Sequence, residues 1–344
     1  MFDSVSIIDA FVIVSITLLF TYVFITIVVP KLFFNVRSPK FSLPRQNDVV
    51  VVTGASRGIG KSCAISLLRE GFRVYAGVRS KSSGERLVTE CGGDPNMIPL
   101  MLDVADSKSI QTAYEVVSSR NPDGIFGLVN NAGINVGPFP VEGIDMKSMR
   151  KQYDVNVFGQ VEVTKAFLSL IRKRGGRVVF MSSVAGSIST AFGGVYASSK
   201  FAIEAVADAL RREMVPWNVS VSVVKPGELK SDLLDKYQED GQRVMKSLSS
   251  DCKRFYGDYY RNMKPTRDKY VGKVELASRA VVKSLSSSRP KTRYVVGSKA
   301  MIKSHLRPFK AFGISLPVWS LLPDRYLDKQ MRRVWPKRYS VPKE

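Results

Sequence analysis

Tyr196 and Lys200 stand four residues apart at what reads as the start of a helix, so their side chains face the same way. A phenol is a poor acid or base near neutrality, with a free pKa of about 10. A nearby ammonium favours the phenolate and lowers that value. The pair can then give a proton to a carbonyl oxygen, or take one from an alcohol. Ser183 ends an apolar run 13 residues before Tyr196, and its hydroxyl can hold the same oxygen as charge develops. Taken alone, a Tyr-x-x-x-Lys pair is better read as the face of an ordinary amphipathic helix.

A second constellation suits phosphate. Four valines run into Thr53-Gly54-Ala55-Ser56-Arg57-Gly58-Ile59-Gly60. Glycines here permit a tight turn and let backbone N–H groups approach a pyrophosphate at the N-terminus of the next helix. The spacing T-G-x-x-x-G-x-G lacks the Lys-Ser/Thr of a P-loop, which disfavours nucleotide hydrolysis. NAD sites place an acid at the end of the second strand, to hold the ribose 2′-hydroxyl. Here Val78 and Arg79 occupy that place, and Arg57 lies in the glycine loop. Two guanidinium groups suit a 2′-phosphate, so NADP(H) is the expected cofactor. NAD(H) is the alternative if both arginines are only solvated surface. Asp103, followed by Val104, ends the third strand. Its carboxylate either accepts from an adenine amino group or simply turns the chain.

These groups need a scaffold. Short apolar runs over 48–53, 72–78, 97–102, 125–130, 177–182, 219–224 and 293–296 read as strands. Amphipathic stretches over 58–70, 82–90, 107–120, 146–172, 195–214 and 271–285 read as helices between them. Apolar strands alternating with helices mean one α/β domain over 48–300: a doubly wound, Rossmann-type parallel sheet with helices on both faces. No internal repeat is present.

The full set comprises the 53–60 loop, Asn130-Asn131-Ala132-Gly133, Asn156, Ser183, Tyr196-Ala-Ser-Ser-Lys200 and Pro226-Gly227. Its order and spacing resemble the short-chain dehydrogenase/reductase family over about residues 47–300. That resemblance implies roles. Tyr196 is the general acid/base, Lys200 lowers its pKa and holds the nicotinamide ribose, and Ser183 orients the substrate oxygen. Asn156 supports a water chain that relays protons to Lys200. Asn130, Asn131, Ala132 and Gly133 line the adenosine side and steady the sheet, and Pro226 and Gly227 contact the nicotinamide. A Thr commonly follows this Pro-Gly in the family; here Ser231 stands near that place. Gly127-Leu-Val-Asn-Asn-Ala-Gly133, the tract 293–296 and an N-terminal anchor resemble the membrane-anchored retinol, hydroxysteroid and hydroxybutyrate dehydrogenase branch. Arg79 departs from its NAD-dependent members. The resemblance also implies a homodimer or homotetramer packed through the helix that holds Tyr196.

Residues 10–29 are 20 uncharged residues rich in Ile, Val, Leu and Phe. As a helix they would span about 30 Å, the hydrocarbon thickness of a bilayer. A single transmembrane helix is expected here, after a lumenal stretch 1–9 and before a basic, Pro-containing linker 30–47. The leading residues carry Asp3 and Asp9 and no Lys or Arg, unlike a cleaved signal peptide. Lys31, Arg37, Lys40 and Arg45 follow the run, so the positive-inside rule puts the catalytic domain in the cytosol, with the endoplasmic reticulum the expected membrane.

Fifty-two Lys+Arg against 30 Asp+Glu give a net charge of +22. Without a helix-turn-helix, zinc finger or aromatic RNA-binding signature, the charge points to an anionic membrane surface and not to nucleic acid. One His and three scattered Cys exclude His-based catalysis and argue against metal sites and a disulfide framework. Segment 228–270, with Leu229, Tyr237, Phe255, Tyr256, Tyr259, Tyr260 and Met263, reads as an apolar lid over a small apolar substrate, or as a packed surface helix pair. The final segment 301–344 is basic and partly apolar, and its 311–322 stretch could form a helix at the bilayer interface, a dimer surface or a core cap. The leading reading is an oxidoreductase of an apolar alcohol and its ketone or aldehyde. The competing readings are an NAD-dependent dehydrogenase of the hydroxysteroid or hydroxybutyrate type, a non-catalytic nucleotide-binding membrane adaptor, which would have no need of Tyr196, and a basic nucleic-acid or lipid-surface binder.

Overall fold

Val49–Val52 is buried along its whole length, as befits the middle of a sheet covered on both faces. In a computed structural model, which describes residues 7–24, 40–230, 236–263, 271–297, 309–311 and 314–316, it is strand β1. The series continues with α2 (Gly58–Arg69), β2 (Arg73–Val78), α3 (Lys81–Glu90), β3 (Met97–Met101) and α4 (Ser107–Arg120). Next come β4 (Gly127–Asn130), α5 (Met146–Tyr153), α6 (Gly159–Arg174), β5 (Arg177–Met181), α7 (Gly194–Glu213) and β6 (Ser220–Pro226). Helices α8 (Tyr237–Ser247), α9 (Ser250–Arg261) and α10 (Glu275–Ser286), then β7 (Arg293–Val296), complete the sheet domain.

The seven strands lie in the order β3-β2-β1-β4-β5-β6-β7. Every neighbouring pair is parallel, from Val49 opposite Arg73 to Pro226 opposite Val296. The order reverses between β1 and β4, and a doubly wound sheet opens its crevice there, at the carboxyl ends of the strands. Alternate strand residues feed two cores. On one face Val51, Tyr75, Leu128 and Phe180 meet Val117 of α4, Phe167 of α6 and Ile203 of α7. On the other, Val50, Val52, Val129 and Val179 meet Leu67 of α2, Leu87 of α3 and Leu285 of α10. Each such Leu or Phe removed from water contributes roughly 1.5–3 kcal/mol.

The single helix expected over 146–172 is interrupted. Between α5 and α6 the chain makes a π-helical turn, Asp154–Phe158, with Asn156 buried within it. Gly159 directly follows the break. A Cβ there would overlap the Val104 carbonyl oxygen, so the helix runs against the β3–α4 connection at a spacing only Gly allows. A widened turn of this kind is frequent at functional sites.

At the opposite end of the strands, Arg177 is 1% exposed. Its NH2 donates to Ser42 O at 2.7 Å, and its guanidinium sits 5.6 Å from the ring centres of both Phe41 and Phe126. Arg174 grips Asp48 with two bonds, of 3.1 and 2.7 Å. Ser42 of the expected linker and Asp48 just beyond it are thereby strapped to β5 and α6.

The chain divides into two compact units, Met1–Lys40 and Phe41–Glu344. In the first, α1 (Ile7–Val23) is apolar on all sides, with Ile13, Leu18 and Phe20 exposed. Its 17 residues rise about 25 Å. Among the described residues no helix is long and apolar enough to cross a membrane, and positions 25–29 of the expected span lie outside them. In the final segment only β8 (Phe309–Ala311) and β9 (Ile314–Leu316) are described. They pair antiparallel, so the described part of 311–322 is strand and not the helix that was one expectation for it.

Candidate active site

The glycine loop leaves β1 and enters α2. Gly54 and Gly58 adopt left-handed backbone, with φ of 65° and 55°. A Cβ on Gly60 would overlap both Gly54 O and Asn131 Nδ2. Asn131 closes the turn: Nδ2 donates to Thr53 O at 2.9 Å and to Gly54 O at 3.2 Å. Thr53 Oγ1 in return accepts from the N–H groups of Asn131 and Ala132, both at 2.9 Å. Asn130 points elsewhere, donating from Nδ2 to Thr164 Oγ1 of α6 at 2.7 Å. The brace of the loop is thus Asn131, from the expected 130–133 segment, together with Thr53 at the start of the glycine motif. The cradle has the features a dinucleotide pyrophosphate needs: left-handed glycines, a position where no side chain fits, and the N-terminus of a twelve-residue helix.

Around this turn Ser56 and Arg57 are exposed, and Ile59 packs partly into the core. Arg79, just after β2, is exposed on the same side of the sheet's carboxyl edge. A small cleft beside them is lined by Ser56, Lys61, Ser83 and Arg86. Asp103 Oδ1 accepts from Ala105 N at 3.0 Å, so the carboxylate at least turns the chain. Val104 is buried.

β5 and α7 deliver the candidate chemistry. Ser183, two residues past β5, caps a short 3-10 turn, accepting from Ala185 N at 3.2 Å. Its hydroxyl reaches Pro226 O, at the end of β6, at 3.3 Å. Gly227 N continues the sheet by donating to Val296 O at 2.8 Å. Tyr196 lies in the first turn of α7 and hydrogen-bonds Ser183. Lys200 is buried one turn on, its Nζ 5.7 Å from the Tyr196 ring centre and donating to Met181 O at 2.9 Å. Asn156 is fixed from three directions. Oδ1 accepts from Ile134 N at 2.8 Å, and Nδ2 donates to Ile134 O at 2.9 Å and to Ser199 Oγ at 3.2 Å. A Cβ on Gly133 would stand 3.5 Å from both Asn156 Oδ1 and Lys200 Nζ, so the missing side chain leaves a small polar gap between them. Ser183, Tyr196, Lys200, Asn156, Gly133 and Pro226 therefore converge. Ser231 lies outside the described residues.

The electrostatics differ from the simplest expectation. Burial raises the Tyr196 phenol above its ordinary value, and the Ser183 hydrogen bond only partly offsets this. Burial also lowers the Lys200 ammonium from 10.5 to about 8, against the opposing pull of Glu204. Desolvation disfavours the charged form of each group, and here it outweighs the Ser183 hydrogen bond at the phenol and the Glu204 charge at the amine.

The substrate side is walled by a third core. Phe192, four residues before Tyr196, stacks on Tyr259 with centroids 3.7 Å apart and meets Tyr256 and Tyr260 edge-on. Its φ of 64° is rare for a bulky residue. Tyr260 donates to Pro138 O at 2.6 Å, and Tyr256 reaches Glu142. The described part of the expected lid is therefore a helix pair, α8 and α9, docked on the 134–143 loop with an apolar aromatic interior.

Comparison with known proteins agrees with this architecture. Residues 48–242 match the family model for short chain dehydrogenase. A 17-beta-hydroxysteroid dehydrogenase type 6 from Bos taurus is 34% identical over 300 residues, covering 85% of this chain and 90% of that protein. A retinol dehydrogenase 7 from Rattus norvegicus is 33% identical, covering 73% and 81%. Among solved structures, a short-chain dehydrogenase from Streptomyces avermitilis shares the fold, with a TM-score of 0.61 at 24% identity, covering 85% of this chain and 98% of that one. The chain belongs to the short-chain dehydrogenase/reductase family, the NAD(P)-dependent oxidoreductases that interconvert alcohols and carbonyls.

Proposed function

We propose that this protein is a membrane-anchored, NADP(H)-dependent oxidoreductase that interconverts an apolar alcohol, of retinoid, steroid or related lipid type, with its ketone or aldehyde. The convergence of Ser183, Tyr196 and Lys200 beside Pro226 carries the reading. The 54–60 loop and the α2 N-terminus would hold the pyrophosphate, with Asn131 keeping the loop shut. Bound there, a nicotinamide cofactor supplies or accepts the hydride that the substrate carbon exchanges. Tyr196 moves a proton at its phenolic oxygen, to a carbonyl oxygen in reduction and from an alcohol in oxidation. Ser183 donates to the same substrate oxygen as charge develops. Lys200 contributes its positive charge, and Asn156 with the gap at Gly133 provides the polar path along which that charge is replenished. The aromatic interior around Phe192 and Tyr259, and relatives named for retinol and hydroxysteroids, support an apolar substrate. The apolar run 10–29 and the net charge of +22 support anchoring with the catalytic domain cytosolic.

Arg57 and Arg79 favour the 2′-phosphate of NADP(H), and no acid stands at the end of β2. Both arginines face solvent, which keeps NAD(H) as the second reading. Two measurements decide, one of cofactor binding and one of turnover. NADPH is expected to bind at least about tenfold more tightly than NADH, about 1.4 kcal/mol, with the margin lost in Arg79→Ala. Tyr196→Phe is expected to cut turnover of retinol or a 17-beta-hydroxysteroid by about 100-fold or more with cofactor affinity kept. Equal binding of NADH would overturn the first assignment, and wild-type turnover in Tyr196→Phe the second.

A further inference from the structure

One helical turn beyond Lys200, the α7 residue Glu204 is 7% exposed, and its carboxylate is held from two strands. Oε1 lies 2.9 Å from Lys225 Nζ on β6, and Oε2 lies 2.9 Å from Arg293 Nε on β7. Lys225, itself 6% exposed, donates onward to Ser187 Oγ at 2.5 Å. Arg293 also binds Asp208, which in turn binds Arg211. Burying this many charges is costly, and well-packed apolar residues would serve stability as well or better. The location of the array suggests what else it serves. Lys225 directly precedes Pro226, whose carbonyl accepts from Ser183, and Ser187 closes the turn that Ser183 caps. A Cβ on Gly186, in that turn, would stand 3.1 Å from Lys200 O and 3.2 Å from Glu204 Cγ. The array therefore ties together the three segments that carry Ser183, Lys200 and Pro226.

We propose that Glu204 is a positioning residue for the reaction: its carboxylate, gripped by Lys225 and Arg293, keeps Lys200 charged and fixes the Ser183 turn and the Pro226 segment against α7. The inference rests on the reading of Lys200 as the cation that serves Tyr196. Lys200 sits in a buried site that disfavours its ammonium, and Glu204 is the negative group acting against that burial. The charged groups facing Glu204 are Lys225 from β6, Arg293 from β7, and Lys200 and Asp208 from its own helix. Removing the carboxylate lowers the pH at which Lys200 loses its proton. Removing Lys225 leaves Glu204 less neutralised and raises that pH. Loss of packing alone would produce no such opposition of sign.

The test needs no known substrate. In the full chain in detergent, urea unfolding from pH 6 to 10.5 is compared with and without Lys200→Met, in wild-type, Glu204→Gln and Lys225→Gln backgrounds. The pH at which the effect of Lys200→Met changes reports the Lys200 titration. We expect it near 8 in wild type, about one pH unit lower in Glu204→Gln and higher in Lys225→Gln. Where retinol or estradiol is turned over, the alkaline limb of kcat should move the same way while cofactor KM stays within about twofold. If the effect of Lys200→Met in wild type does not vary with pH, the reading of Lys200 itself is wrong. A wild-type titration near 8 that neither background moves would overturn the role of Glu204 alone. Should Glu204→Gln fail to fold, the upward shift in Lys225→Gln still decides.

Discussion

Replacing Lys200 by Met should make this protein more stable at neutral pH while removing its activity. Lys200 is 3% exposed, and burial lowers its ammonium from 10.5 to about 8. At about 1.4 kcal/mol per tenfold change in the proton equilibrium, that fall corresponds to roughly 3 kcal/mol of folding free energy lost to a buried charge. The sign follows from linkage. Between pH 8 and 10.5 the unfolded chain binds the Lys200 proton more tightly than the folded one, so wild-type stability rises with pH across that window. Below pH 8 the whole penalty is present; above 10.5 it is gone. Met has a similar length and no charge, but it leaves Met181 O without the 2.9 Å donor, a loss of about 1–2 kcal/mol. Lys200→Met should therefore gain about 1–2 kcal/mol at pH 7 and become the less stable protein by about pH 10.5. Denaturant unfolding of the cofactor-free chain at the two pH values measures this directly, and thermal melting should follow by about 2–4 °C per kcal/mol. A stability difference that is flat from pH 7 to 10.5 would refute the argument, as would a variant clearly less stable at pH 7.

Two further substitutions probe the frame around the site. Gly60→Ala places a methyl group into Gly54 O and Asn131 Nδ2, so both NADPH and NADH should bind about 100-fold more weakly, about 2.7 kcal/mol, while Gly194→Ala, whose Cβ meets only Val141 at 3.5 Å, should leave affinity within about twofold. Fluorescence titration of each variant checks this, and near-normal affinity in Gly60→Ala would count against the closed glycine loop. Arg177→Ala strands Ser42 O and Ser284 O and opens a cavity beside Phe41 and Phe126, at a cost of about 3 kcal/mol or more in urea unfolding, whereas Arg177→Met keeps the volume and should recover about half.

Much of this architecture is legible in residue order because its signals are local. An uninterrupted run of valines can sit only in a doubly covered strand, and the apolar stripe of Ser107–Arg120 marks its helix from end to end. Tyr196 and Lys200 fall on one helix face because four residues make about one turn. The hidden parts are those decided at a distance. The π turn at Asn156 breaks a stretch that is amphipathic throughout, and the Gly159 that follows it must pass against the Val104 carbonyl, 55 positions before Gly159. Asn130 and Asn131 are neighbours of the same type, and only the sheet decides which one turns toward the glycine loop and which toward Thr164.

The sign at Tyr196 differs from the expected one for a related physical reason. Spacing tells which charges are near a group; it does not tell how much water has been removed from around it. Lys200 stands close to Tyr196, which argues for a lower phenol value. The fold buries both, and desolvation raises the phenol and lowers the amine, so each moves toward neutrality. A site that needs one of these groups charged must supply that charge's partner from elsewhere. Glu204, Lys225 and Arg293 lie on three separate elements and meet only once α7, β6 and β7 are in place. On the proposed reading, the charge state of Lys200 therefore depends on the assembled sheet edge, and not only on the five-residue motif that announces it.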